Sequence, residues 1–222
     1  MTEPVDLYWS FRSPYCYLAS DRIARIRARF DIDLSARPIL PLALREPDYF
    51  EGLPAVRNEY LRRDTVRVGA CYGIPFARPD PDPVVFEPVR RRRVAADQPY
   101  IYRLSRLGVE AALQGRGFEF AAEVARLLWN GETKGWDQGE HLAGATAKAG
   151  LDLAAMDASV SADPQKYDKI LEQNAQALDK AGHWGVPTLV AAGEPFFGQD
   201  RLELFEWRLR ERGVRERDAE PG

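Results

Sequence analysis

The sequence predicts an α/β fold in which a β-α-β unit at the start and a β-β-α unit at the end bracket an all-α block. Three observations carry this expectation: a short aromatic run that meets a Ser-Pro helix start at residue 13, helix-length segments between residues 95 and 182, and two β-prone runs joined by Ala192-Gly193. A chain of 222 residues accommodates one large domain, or one small domain carrying an insertion.

Residues 5–11 are short, aromatic and β-prone, and Arg12-Ser13-Pro14 has the chemistry of a strand ending at a helix start. Beyond Pro14, Tyr15, Leu18, Ala19, Ile23, Ile26 and Phe30 fall at offsets of 3, 4, 8, 11 and 15, tracing one helical face. Arg22, Arg25 and Arg29 occupy another. Residues 31–40 alternate loosely and read as a second strand, parallel to the first because a helix lies between them. Residues 54–72 are helical in pattern, whereas residues 73–83 repeat Pro and Asp and must be extended. The chain is expected to cross into a second block near here. Segments 95–114, 117–130, 136–150 and 163–182 read as four helices without a repeat period. Past Gly182, Val186-Pro187-Thr188-Leu189-Val190 and Pro195-Phe196-Phe197 form a hairpin about Ala192-Gly193. Asp200 is expected to N-cap a last helix carrying Leu202, Leu204, Phe205 and Leu209, and residues 211–222 to fray.

Composition narrows the function classes. Hydrophobic residues at 45% and charged residues at 29% describe a globular chain with a real core. The 31 Lys and Arg against 34 Asp and Glu give a net charge of −3, which offers no global pull toward nucleic acid or an anionic membrane. The acidic opening Met-Thr-Glu-Pro-Val-Asp has neither the basic region nor the apolar run of a secretory signal, and no apolar stretch approaches a membrane span, so a soluble, cytoplasmic protein is expected. Cys16 and Cys71, with His141 and His183, are too few and too scattered for a disulfide framework or a metal site.

The junction at Ser13 concentrates the chemistry. As N-cap, Ser13 offers its oxygen to a first-turn amide, and Pro14 at the next position forgoes a hydrogen bond that would be unpaired anyway. A helix cap alone therefore accounts for the Ser-Pro pair. The same terminus carries about half a positive charge and free amides, an environment that favours a thiolate, and a hydroxyl there can donate to a visiting sulfur. Cys16 and Cys71 read as small hydrophobes, each without a second sulfur in reach. Pro187 reads as a strand-entry proline or, if cis, as one that turns the Val186 backbone toward Ser13, where an extended peptide can pair with it. Asp200 reads as a helix cap, and Arg57 as a solvated helix-face charge.

Element order and motifs together resemble a known family. A helical block inserted before the closing hairpin is similar to a thioredoxin-like domain of the DsbA type, with Ser13-Pro14-Tyr15-Cys16 where that fold keeps its Cys-x-x-Cys. With Gly185-Val186-Pro187-Thr188 and Gly198-Gln199-Asp200-Arg201, the chain resembles the kappa-class glutathione transferases and, more closely, the bacterial 2-hydroxychromene-2-carboxylate isomerases. The resemblance implies a thioredoxin-like, glutathione-binding domain of residues 1–75 plus 182–222, a helical insertion of residues 76–181, and a homodimer. It implies glutathione as cofactor: Ser13 holding its thiolate, Val186 beside a cis Pro187 binding its cysteinyl unit, Gln199 and Asp200 its γ-glutamyl end, and Arg57 standing where the family has a Lys. His183 and Trp184 would line the cleft, with His183 as general base a weaker option. The implied activity is cis-trans isomerisation of a small aromatic-derived carboxylate, in aromatic catabolism. Alternatives are kappa-class-like glutathione transfer, DsbA-like thiol-disulfide exchange through Cys16, and peptide binding without chemistry. Two segments depart from the family, Arg45-Glu46-Pro47-Asp48-Tyr49-Phe50 and Val84-Val85-Phe86-Glu87-Pro88-Val89. The run Arg90, Arg91, Arg92 and Arg93 reads as a solvated face or as a contact for a substrate carboxylate.

Overall fold

A computed structural model describes residues 2–47, 52–89 and 93–217. Strand β1 (Glu3–Trp9) leads through Ser13 into helix α1 (Pro14–Arg29) and strand β2 (Ile32–Pro38), followed by α2 (Leu42–Arg45) and α3 (Ala55–Tyr72). Then come α4 (Ile101–Leu113), α5 (Gly117–Trp129), α6 (His141–Lys148), α7 (Leu153–Ala162) and α8 (Pro164–Lys180). Strands β3 (Thr188–Ala191) and β4 (Glu194–Phe197), a 3₁₀ turn at Gln199–Arg201 and α9 (Leu202–Glu211) close the fold.

The four strands are ordered β2-β1-β3-β4, with β1 parallel to β2 and antiparallel to β3. Strand β1 lies inside the sheet, and its second half, Leu7-Tyr8-Trp9, is buried on both faces, which matches its apolar run there; Asp6 before it reaches the surface and pairs with Arg37. Val5, Leu7 and Trp9 enter the main core, whereas Tyr8 joins Ile39 and Leu178 on the other face. The hairpin turn has Ala192 at φ 49° and Gly193 at φ 81°, two left-handed residues as a tight hairpin requires.

Helix α1 buries Leu18, Ala19, Ile23 and Ile26 on the face its spacing predicts. The helical block and the sheet share one continuous core in which Leu104, Phe120, Val124 and Trp129 pack with Leu7, Trp9 and Phe11. Helix α4 comes especially close to the β1–α1 junction at Gly108, where a Cβ would lie 2.7 Å from the Phe11 ring. That junction is braced from several sides. The Trp129 indole donates to the Phe11 carbonyl at 3.1 Å, Phe120 meets the Phe11 ring edge-on, and Arg12 grips both carboxylate oxygens of Asp82 at 2.9 and 3.0 Å.

Several expectations need correction. The first helix of the block starts at Ile101 and not near residue 95, because Gln98 clamps the backbone of Val85 and Ala95 in an extended pairing. The segment 136–150 is helical only over His141–Lys148. Helix α7 lies where no helix was expected; Asp152 caps it by accepting from the Ala155 amide at 3.1 Å. Asp200 is no N-cap: it lies inside the 3₁₀ turn, Gly198 precedes that turn at φ 100°, and α9 begins after Arg201. The tail does not fray through Arg217, since Arg217 donates its amide to the Arg29 carbonyl and Glu216 pairs with Arg29 and Arg210. Cys71 is exposed, so it is no buried hydrophobe.

Candidate active site at the first helix terminus

Ser13 has extended backbone, φ −88° and ψ 113°, and its Oγ accepts the Cys16 amide at 3.3 Å, which is the capping bond expected of it. The hydroxyl also donates to the Val186 carbonyl at 3.4 Å. Both contacts are at the long limit for hydrogen bonds, so the hydroxyl is held loosely enough to turn to another acceptor. The Val186-Pro187 peptide is cis, and among the described residues no group accepts the Val186 N–H. Val186 thus shows a free donor beside Ser13, as an extended peptide partner needs.

These groups wall a cleft of about 420 Å³ that brings together Ser13, Arg57 and Val186, three of the residues singled out from sequence. Leu42, Leu53, Leu61 and Phe197 make the rest of the wall largely apolar. Pro187 follows behind Val186 without lining the cleft. Gln199 and Asp200 also stay off its wall: Gln199 takes a guanidinium hydrogen bond from Arg22, and Asp200 pairs with Arg201 at 2.8 Å. Asp200 remains near the first turn of α1, since its charge, with burial and the nearby Asp64, helps push the Tyr15 phenol well above the usual range. Trp184 lines the cleft and His183 does not. The His183 ring is stacked between Trp184 and Phe197, at centroid distances of 4.5 and 4.0 Å, and its Nδ1 accepts the Gly185 amide at 2.9 Å. Burial lowers its pKa, and with Nδ1 occupied by the Gly185 amide the ring serves as a brace for the loop.

Cys16 is completely buried, and burial pushes its thiol up to about 12 against the opposing hydrogen bonds at Ser13 and Ser10. A thiol held that high is not a thiolate near neutrality. Cys71 is a free cysteine on α3. The cleft therefore contains no attacking sulfur of the chain's own.

Three cleft residues escaped the sequence reading. Ser10 is 2% exposed, and among the described residues its Oγ has no hydrogen-bond partner, an orphaned hydroxyl that a polar ligand would satisfy. Arg45 spans from the Leu40 carbonyl to the Trp184 carbonyl, at 3.0 and 2.6 Å, and fixes one rim. Arg12 forms the other rim. Ser10 and Arg12 sit within the junction the motif marks; Arg45 carries no local signal. Of the arginine run, Arg93 pairs with Glu87 at 3.4 Å, while Arg90, Arg91 and Arg92 lie outside the described residues, as do Asp48, Tyr49 and Phe50.

Residues 4–210 match a family model described as a DSBA-like thioredoxin domain. The chain belongs to the DsbA-like thioredoxin domain family. Within it, the chain is 26% identical over 211 residues to a 2-hydroxychromene-2-carboxylate isomerase of Pseudomonas putida, covering 91% of this chain and 92% of the relative. A protein of the same name from Pseudomonas sp. (strain C18) is 24% identical over 208 residues, 91% and 88% of the two chains. Among solved structures, a 2-hydroxychromene-2-carboxylate isomerase superposes with a TM-score of 0.67 at 24% identity, covering 95% of this chain and 96% of the other. A probable DsbA oxidoreductase from Streptomyces coelicolor reaches the same TM-score of 0.67 at 19% identity, covering 99% and 92%. The fold is thus shared between named isomerases and named oxidoreductases. At the start of α1 this DsbA-like chain presents Ser13 in the cleft and buries Cys16 beneath it. No helix among the described residues is long and apolar enough to cross a membrane.

Proposed function

We propose that this DsbA-like protein is a glutathione-dependent cis-trans isomerase acting on a small aromatic-derived carboxylate; the names of its Pseudomonas relatives support the isomerase and the carboxylate, and the chemistry of the Ser13 cleft supports the glutathione. The observation that carries the proposal is a Ser13 hydroxyl at the positive end of α1, facing a largely apolar cleft in which the chain places no reactive thiol of its own. The donor set suits glutathione: a loosely held hydroxyl, an unpaired Val186 amide, the orphaned Ser10 hydroxyl and the Arg57 guanidinium.

When bound, glutathione supplies a thiolate that adds to a conjugated carbon of the substrate and leaves again after rotation about the former double bond. Ser13 turns its hydroxyl from the Val186 carbonyl to that sulfur, and the first-turn amides add their partial positive charge, which favours the charged form near neutral pH. Val186 pairs with the cysteinyl backbone and Arg57 meets a carboxylate; Asp200 and Gln199, which stand off the cleft wall, would receive the γ-glutamyl end only by exchanging their contacts with Arg201 and Arg22 for it. Pre-positioning lowers the entropic part of the barrier. We further infer a homodimer in the cytoplasm, on the family resemblance.

The test follows the absorbance change of a 2-hydroxychromene-2-carboxylate as it isomerises, with and without glutathione. Turnover only in the presence of glutathione, with the tripeptide recovered unchanged, is the expected result. Equal turnover without it refutes the proposal, and a product that retains sulfur establishes the transferase alternative.

A further inference from the structure

We propose that the cleft next to the Ser13 site, walled by Arg12, Arg62 and Arg78, is a carboxylate subsite that holds the anionic end of an aromatic substrate. This deepens the proposed function and rests on it for the direction in which the substrate lies.

The second cleft has a volume of about 840 Å³ and shares Arg12, Asn58 and Leu61 with the Ser13 cleft, so the two adjoin along that wall. Its wall is unbalanced in charge. Three arginines face two carboxylates, Asp82 and Glu59, and both carboxylates are already engaged. Arg12 takes both oxygens of Asp82, one of which also accepts the Val84 amide at 2.9 Å, while Glu59 holds Arg63 at 2.9 Å. Among the described residues no hydrogen bond or ion pair engages the guanidinium of Arg62 or Arg78. The arrangement strains Arg78 electrostatically: burial first, then the like charges of Arg62 and Arg12, lower its pKa, and Asp82 offsets this only in part. An incoming anion relieves that repulsion, and a planar carboxylate matches the fork of a guanidinium.

The remaining wall selects the body attached to the anion. Val56, Leu61 and Phe86 are apolar, and the Arg12 guanidinium already stands 4.9 Å from the Phe86 ring centroid. An aromatic acid satisfies both halves of this surface. Arg12 immediately precedes Ser13, so an acid anchored by Arg62 and Arg78 has its far end directed along the shared wall toward the Ser13 hydroxyl. The carboxylate contact expected of the arginine run therefore falls to arginines that are dispersed in sequence.

The tripeptide also carries carboxylates, and the experiment separates the two sources. Binding of 2-naphthoate, the neutral 2-naphthamide and glutathione is measured by calorimetry on the full chain and on Arg62→Gln, Arg78→Gln, the double variant and Arg67→Gln, an exposed arginine of α3 on neither cleft wall. Each of the first two substitutions is expected to weaken naphthoate about tenfold, as for loss of a charged hydrogen bond. Naphthamide should bind weakly throughout, with glutathione affinity and the Arg67→Gln variant unchanged. Failure of naphthoate to bind the parent chain, or equal binding to the double variant, overturns the proposal. So does a loss confined to glutathione, which would assign the arginines to the tripeptide. Arginine-dependent naphthoate binding in a protein that binds no glutathione leaves the subsite standing and removes the glutathione reading.

Discussion

Replacing Ser13 by Ala and by Asp separates its two roles. The capping bond to Cys16 is 3.3 Å long, so its loss in Ser13→Ala belongs at the low end of measured cap deletions, about 0.5–1 kcal/mol. For a chain of this size that lowers Tm by roughly 1–4 °C. Asp caps as well as Ser and places a negative charge at the positive helix end, so Ser13→Asp should melt within about 2 °C of the parent protein. Ligand binding should behave in the opposite way. A carboxylate ~4 Å from a thiolate costs up to about 4 kcal/mol at the effective dielectric of a partly exposed site. Even a third of that weakens glutathione about tenfold. Scanning calorimetry and isothermal titration on the same three preparations give both quantities. An Asp variant that melts like the parent and binds glutathione equally well would reduce Ser13 to a helix cap and refute the reasoning.

Two further tests concern buried groups. Tyr167, 2% exposed, donates to Glu110 at 2.7 Å, and burial together with that bond pushes its phenol up to about 12. The folded state keeps this proton where the unfolded chain, titrating near 10, releases it; the contribution to stability is complete below pH 10 and falls as pH rises toward 12. Denaturant melts at pH 9 and 11.5 should show a smaller alkaline loss in Tyr167→Phe than in the parent, while at neutral pH the variant loses about 1–3 kcal/mol because Glu110 forfeits a donor. Thiol titration with a chromogenic disulfide should find Cys71 reactive at once and Cys16 only on unfolding, and Cys16→Ala should retain turnover; rapid loss of both thiols in the native protein would contradict the burial of Cys16.

The ends of the fold were legible because their signals are local. Ser13 and Pro14 mark a helix start through their own chemistry, and Ala192-Gly193 marks a hairpin through its own backbone conformation. The middle was harder. Helix α7 buries only Met156 and Val160, too few apolar positions to show a period, although Asp152 was available as a cap signal. Residues near 95 looked helical because nothing local announces that Gln98 holds them to Val85. Ser13, Arg57 and Val186 were found by motif position, yet the cleft that unites them depends on the placement of α3 against the sheet. Arg45, Arg62 and Arg78 resemble any surface arginine until the chain is folded. Cys71 was misjudged because apolar neighbours in sequence are not neighbours in space.

The two sides of the Ser13 cleft are anchored very differently. On one side, the loop from Ser10 to Ser13 is wedged by Trp129, Phe120 and Gly108 into a core that runs without a seam through sheet and helices. On the other, α3 buries only Thr65 and Gly69 along its 18 residues. The α3 wall is thus built almost wholly from residues whose replacement leaves the core intact, whereas the hydroxyl on the opposite wall is set in that core. Sequence drift along α3, Arg57 apart, can therefore reshape what enters while the reacting group keeps its place.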